Sequence, residues 1–212
     1  MGRPVIVIGA GGHGRVLIDA LKLLNIEILG ISDNDPTLEK KTIAGVPVIF
    51  GDQELQRHSP KDVYLVNGLG GVKDTSLRRN IYGKFKGLGF TFRQVIHPAA
   101  IISPDLFLAE GVQVMAGAVL QAGTHINENS LINTKASVDH DCLIGSHVHI
   151  APGVTVCGNV TIEEGVHVGS GATIIQGVTI GAHSLIGAAA LVRKNIPPGS
   201  KVFGVPGRIR RL

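Results

Sequence analysis

Asp139, His140 and Asp141 are consecutive and set an imidazole between two carboxylates. A neutral imidazole takes a proton from an attacking amine or hydroxyl near pH 7. A carboxylate beside it can hold the ring in one tautomer and steady the imidazolium that forms. A second constellation lies near the start of the chain, where Gly9, Gly11, Gly12, His13 and Gly14 follow the apolar run Val5-Ile6-Val7-Ile8. The G-x-G-x-x-G spacing lets backbone amides approach a pyrophosphate at a helix N-terminus. Asp33 comes 19 residues after Gly14, where a ribose-binding acid is expected. Asp33 and Asp35 also suit a turn before Pro36.

Two kinds of scaffold must position these groups. Residues 1–98 alternate strand and helix patterns. Val5–Ile8 reads as a buried parallel strand, and His13–Leu24 carries a helical stripe of Val16, Leu17, Ala20, Leu21 and Leu24. Residues 26–31, 46–50 and 63–66 read as further strands, and 73–88 as a helix closed by Gly89. This is a small βαβ domain of Rossmann type.

Residues 99–212 follow another beat. Every sixth residue from Ile102 to Val192, sixteen in all, is Val, Ile or Leu. Two residues before each lies a second set, mostly small residues or Val, and glycine follows the marker at 145, 169, 181 and 187. A period of six is not helical. It describes the flat side of a triangular β-prism, with three hexads and 18 residues per coil, Gly or Asn at turns of positive φ, and about five coils in all.

The register resembles the hexapeptide-repeat acyltransferases, which fold as left-handed parallel β-helices and usually form trimers. The likeness extends to the Gly9–Gly14 motif, Val95-Ile96-His97-Pro98, Asn133-Thr134, Val138–Cys142 and the closing Gly204-Val205-Pro206. Together these are similar to the sialic-acid O-acetyltransferase-like proteins. That group includes UDP-4-amino-sugar N-acetyltransferases of bacillosamine synthesis and GDP-perosamine N-acetyltransferases. The resemblance implies an acetyl-CoA-dependent N-acetyltransferase acting on a nucleotide-linked 4-amino sugar in bacterial surface-glycan synthesis. It makes His140 the base and Asp141 its partner, where the family often has Glu. It assigns the nucleotide sugar to Gly9, Gly11, Gly12, His13, Gly14, Asp33 and Asp35, and it sets His149 and Ala188 against acetyl-CoA. Coil arithmetic adds Gly158, 18 residues after His140. A residue without a side chain there leaves room for a thioester and offers a backbone N–H to an oxyanion. Lys194, with the C-terminal arginines, is placed for a CoA phosphate. The alternatives are O-acetylation of a sialic-acid-like sugar and a non-catalytic sugar-nucleotide-binding partner of a synthase.

Other classes fit less well. In γ-type carbonic anhydrases of this repeat, histidines two coils apart hold zinc with a third five residues on. His147 and His183 have that spacing, but residue 188 is Ala. Zinc needs three protein ligands, so no metal is expected. A net charge of +4 without an aromatic-interleaved basic patch gives no case for nucleic acid. No apolar run reaches membrane-spanning length. Two cysteines, no Cys-x-x-Cys and no visible signal peptide lead to a cytoplasmic expectation with free thiols.

Overall fold

The structure is a computed structural model that describes residues 2–55, 57–71 and 75–210. Lys73, where the third helix was expected to begin, and Arg211 of the basic tail lie outside the described residues. The first domain runs β1 (Val5–Ile8), α1 (Gly12–Leu23), β2 (Ile28–Asp33), β3 (Thr42–Ile43), β4 (Val46–Phe50), α2 (Asp52–Leu55), β5 (Tyr64–Asn67) and α3 (Ser76–Gly87). Its sheet has the order β3-β4-β2-β1-β5, parallel except for β3. The strand order therefore reverses at β1, and the topological switch point falls between β1 and β5, at their C-terminal ends. β1 is buried along its whole length, as its unbroken apolar run requires. Leu17, Ile18, Ala20 and Leu21 turn the buried stripe of α1 onto the sheet. Two sequence readings shift. β2 starts at Ile28 and runs through Asp33, and the short antiparallel β3 adds an edge strand that no pattern announced.

The second region is a three-sided parallel β-helix. Strands pair with copies of themselves one coil on: Ser137 with Thr155, Thr155 with Thr173, and Thr173 with Leu191. Each step is 18 residues. The ladder reaches back to Val95–Ile96, which pair with Gln113 and Val114. From Val114 to Val192 every sixth residue is at most 1% exposed, while Ile102 and Leu108 are partly buried against the same core. Burying one such side chain is worth about 1.5–3 kcal/mol, so the hexad register supplies most of what holds the coils together. After Val192 the register tightens: Leu185 pairs with Lys201, a step of 16, and residues 208–210 return antiparallel.

Positive φ falls three residues before each aliphatic marker from Val114 to Val192, at Gly or Asn such as Gly153 and Asn159, and also at Asp141 and His147. The glycines that follow the markers serve close approach instead. A Cβ on Gly145 would lie 2.7 Å from the backbone N of Glu164 in the next coil. Gly153 has φ +69°, and a Cβ added there would meet nothing within 4 Å. Gly153→Ala is therefore expected to cost about 1–2 kcal/mol, the strain of a left-handed L-residue alone. Gly145→Ala, which must push neighbouring coils apart, is expected to cost more, and denaturant unfolding of both variants side by side measures the difference. Equal losses would contradict the close-approach account.

Candidate active site

His140 sits at a corner of the prism, between the strand Ser137–Val138 and the strand Leu143–Ile144. Its side chain and that of Asp141 are 62% and 67% exposed. His140 Nδ1 donates to Asp141 Oδ2 at 2.8 Å, and the His140 backbone N–H donates to Asp139 Oδ1 at 2.8 Å. Asp141 occupies the left-handed turn position, φ +57°. That conformation turns its short carboxylate back to the imidazole, so the missing methylene relative to Glu does not prevent the bond. The hydrogen bond that His140 donates to Asp141 raises the His140 pKa above its ordinary value, with Asp139 adding to it. With Nδ1 engaged, Nε2 carries the lone pair and is free to take a proton.

Gly158 lies under this ring. A Cβ there would fall 2.5 Å from His140 Nε2 and 2.6 Å from Cε1. The amides on either side of Gly158 belong to the ladder, Cys157 N to Ile174 O and Asn159 N to His140 O. Lys194, 36 residues after Gly158 and just past the end of the 18-residue ladder, is exposed.

Two cavities flank the domain seam. One, of about 160 Å³, lies at the C-terminal ends of β1 and β2. It is lined by Gly9, Ser32, Asp33 and Asn34, with Ile8, Leu69, Leu77 and Ile81 as apolar walls. The other, of about 490 Å³, lies on the sheet that carries His149, His167 and Leu185. Its lining includes Gly71, Ala151, Pro152, Ala188 and Phe203. His149 is 6% exposed; its Nδ1 donates to Gly71 O at 2.8 Å and its Nε2 accepts from Asn133 Nδ2 at 3.2 Å. Burial pushes its pKa down to about 3, helped by His167 and Arg78 nearby. His149 is therefore a neutral group of fixed tautomer.

The expected residues thus separate into groups. Gly9 and Asp33 line the smaller cavity. Gly11 and Gly12 are exposed beside it, and Gly14 packs directly on the Gly9 carbonyl. Asp33 already accepts from Ala10 N at 2.8 Å and from Asp35 N at 2.9 Å, which ties β2 to the glycine loop. Asp35 is exposed and caps the short 3-10 turn Pro36–Leu38 through Thr37 N, so it takes the turn-forming role. His13 is half-buried at the seam. Its Nε2 lies 2.8 Å from Gln113 Oε1, whose amide group donates to Asn67 O at 2.9 Å. That orientation makes Nε2 the donor. Burial first, then Arg78, pushes its pKa down to about 4, against the opposing hydrogen bond to Gln113.

His149 and Ala188 belong to the larger cavity, whereas His140 and Gly158 share the corner between the other two sheets of the same chain. One chain does not bring these two halves of the expected acetyl-CoA set together. Among the described residues no group of three or more His, Cys, Asp or Glu side chains could hold a metal ion. Sequence reasoning missed the Asn67-Gly68-Leu69-Gly70-Gly71 loop after β5, which touches both cavities. Three glycines in five residues after a strand were the available signal.

An α/β domain joined to a hexad-wound prism with an exposed His-Asp pair defines the hexapeptide-transferase class. Residues 4–85 match the PglD N-terminal domain family, and 123–158 and 159–194 match bacterial transferase hexapeptide repeats. The acetyltransferase domain of PglB from Neisseria gonorrhoeae FA1090 is 35% identical, with a TM-score of 0.92 over 99% of this chain and 100% of that one. PerB from Caulobacter crescentus, solved with CoA and GDP-perosamine, is 36% identical, with a TM-score of 0.91 over 98% and 97%. UDP-N-acetylbacillosamine N-acetyltransferase of Bacillus subtilis is 36% identical over 119 residues, 54% of this chain and 52% of that protein. An acyl-carrier-protein–UDP-N-acetylglucosamine O-acyltransferase of Aliivibrio salmonicida is 36% identical over 99 residues, 38% of its length. The chain spans about half or less of the length of these curated relatives. It belongs to the bacillosamine- and perosamine-type family of hexapeptide-repeat N-acetyltransferases.

Asp141→Asn is expected to lower the His140 pKa, because the charge-assisted bond that raises it is lost. An NMR titration of the His140 Cε1–H resonance checks this; an unchanged midpoint would break the pairing.

Proposed function

We propose that the protein transfers the acetyl group of acetyl-CoA to the amine of a nucleotide-linked amino sugar, with a UDP-linked 4-amino-4,6-dideoxy sugar as the preferred acceptor. The observation that carries this is the His140 corner: an exposed imidazole whose Nδ1 is held by Asp141 and whose Nε2 faces outward over a residue with no side chain. Nε2 takes the proton as the amine nitrogen attacks the thioester carbonyl. The carbonyl oxygen gains charge as the carbon becomes tetrahedral, and the Gly158 N–H is the group proposed to stabilise it. The C–S bond then breaks and the electron pair leaves on the CoA thiolate. Because only neutral His140 can act, the raised pKa sets the acid limb of the rate profile above the ordinary histidine range, and activity rises with pH through it.

The nucleotide is proposed to sit at the switch point, with its diphosphate on the Gly9–Gly14 turn and the N-terminus of α1. Asp33 and Gly9 line the adjoining cavity. Acetyl-CoA is proposed to occupy the larger cavity against His149 and Ala188, with Lys194 and the C-terminal arginines available to its phosphates. Because the cavity lies on the sheet of His149 and His140 lies at the corner between the other two sheets, we infer that a complete site joins His140 and Gly158 of one chain to His149 and Ala188 of another. A homotrimer, the usual assembly of the class, supplies three such sites.

The test is purified protein with acetyl-CoA and amino sugars carried on UDP, GDP or CMP, reading thiol release and product mass. Saturable CoA release with an amide product supports the reading. An ester product points to O-acetylation, and CoA release with no acceptor overturns the proposal. His140→Ala should lower kcat about 10²–10⁴-fold with little change in either KM. Turnover at the wild-type rate would remove the base.

A further inference from the structure

Among the described residues, the Asn67–Gly71 loop is the segment common to both cavities: Leu69 walls the smaller and Gly71 the larger. Its hold on the rest of the molecule is specific. Gly68 is pressed against the Ile8 and Gly9 carbonyls, with a Cβ there falling 2.7 and 2.8 Å away. Gly71 O is taken by His149. Between these two points Leu69 N donates to Asn67 Oδ1 at 3.3 Å, and one side chain from outside the loop takes the Leu69 carbonyl. Arg78, on the first turns of α3, is 1% exposed and donates from Nη1 to Asn67 O at 2.8 Å and to Leu69 O at 2.9 Å. Its Nε donates to Asn129 O at 3.0 Å, a corner residue of the prism. One planar group thus binds the loop and the second domain at once, a task that suits the fixed fork of a guanidinium and not a point-charge ammonium.

The arrangement carries a cost that packing alone does not explain. No carboxylate among the described residues pairs with Arg78, and its Nη2 is buried without a hydrogen-bond partner. An unpaired buried charge is retained against a steep desolvation penalty. A hydrophobic residue could fill the seam more cheaply, but it would leave the Leu69 carbonyl without its donor and the Asn67 carbonyl with Gln113 alone.

We propose that Arg78 is a positioning residue that sets the shape of the Asn67–Gly71 loop as a shared wall, so that occupancy of the nucleotide cavity and of the CoA cavity are coupled through it. This rests on the proposed assignment of the two cavities. Because the Arg78 fork ties Asn67 O to Leu69 O, a ligand that sets the wall on one side sets it on the other, and the coupling is reciprocal. Arg78 touches neither reacting atom.

The test uses the full chain in its native assembly, with CoA as one probe and, as the other, whichever of UDP, GDP or CMP the wild type binds. In the wild type, each probe alone should slow amide hydrogen exchange at Leu69–Gly71, and each should tighten the other's binding about fivefold or more by calorimetry. Arg78→Lys should raise both dissociation constants about tenfold and abolish the mutual tightening, while the circular dichroism spectrum and oligomeric state hold. A role confined to folding would lower the melting temperature without altering affinity in the folded fraction. Wild-type binding of CoA that leaves Leu69–Gly71 exchange unchanged overturns the proposal whatever the variant does. Equal affinities in wild type and Arg78→Lys also overturn it. Failure of the wild type to bind any of these probes would instead overturn the assignment of the cavities.

Discussion

The parallel ladder that returns the chain to the same place every 18 residues is the constraint on which the site depends. It turns sequence spacing into a spatial column. His140, Gly158 and Gln176 share one column by arithmetic, and the hydrogen bonds from Asn159 N to His140 O and from Gly177 N to Gly158 O enforce it. The aliphatic hexads keep the ladder in register because a slip of one residue would turn each of them to solvent. Within a corner, the residue in the left-handed position aims its side chain back along the turn. That is how Asp141, with one methylene less than Glu, meets the imidazole beside it.

A second constraint is the docking of the α/β domain onto one prism face. Outward positions that would otherwise be wet become buried there: Gln113, Leu131, His149 and His167 are each 6% exposed or less. The polar ones are satisfied across the seam. A chain of side-chain bonds runs from His13 through Gln113, Asn67 and Asn129 to His147. Desolvation and the Arg78 charge hold His13, His147 and His149 below the ordinary histidine pKa. The histidines of the seam are therefore hydrogen-bonding groups of defined tautomer, while the exposed His140, raised by its carboxylate, is the one proposed for proton transfer. Environment divides one residue type between two tasks.

Much of this was legible in the sequence. The hexads located the prism because a strict period survives any error in single propensities, and the stacking of Gly158 on His140 followed from counting. Val5–Ile8 and the stripe of α1 were plain for similar reasons. Other features were hidden. Positive φ at Asp141 and His147 was invisible because neither residue is glycine. The capping bond from Thr37 N to Asp35 depends on where the chain goes after Pro36. Gln113, Asn129 and Arg78 look like ordinary surface residues, and only the docking of the two domains buries them. The split between the His149 cavity and the His140 corner is likewise a property of three dimensions, since both lie on the same short stretch of sequence.

The account stands or falls on whether catalysis uses one chain's imidazole and another chain's cavity. Co-expression of two separately tagged variants, His140→Ala and the cavity-filling Ala188→Trp, and isolation of assemblies carrying both tags tests this directly. Each parent should be nearly inactive for lack of one half of the site. The mixed assembly should regain acetyl transfer, because some interfaces then join an intact His140 to an intact cavity. A mixed assembly no more active than its parents would contradict the shared site.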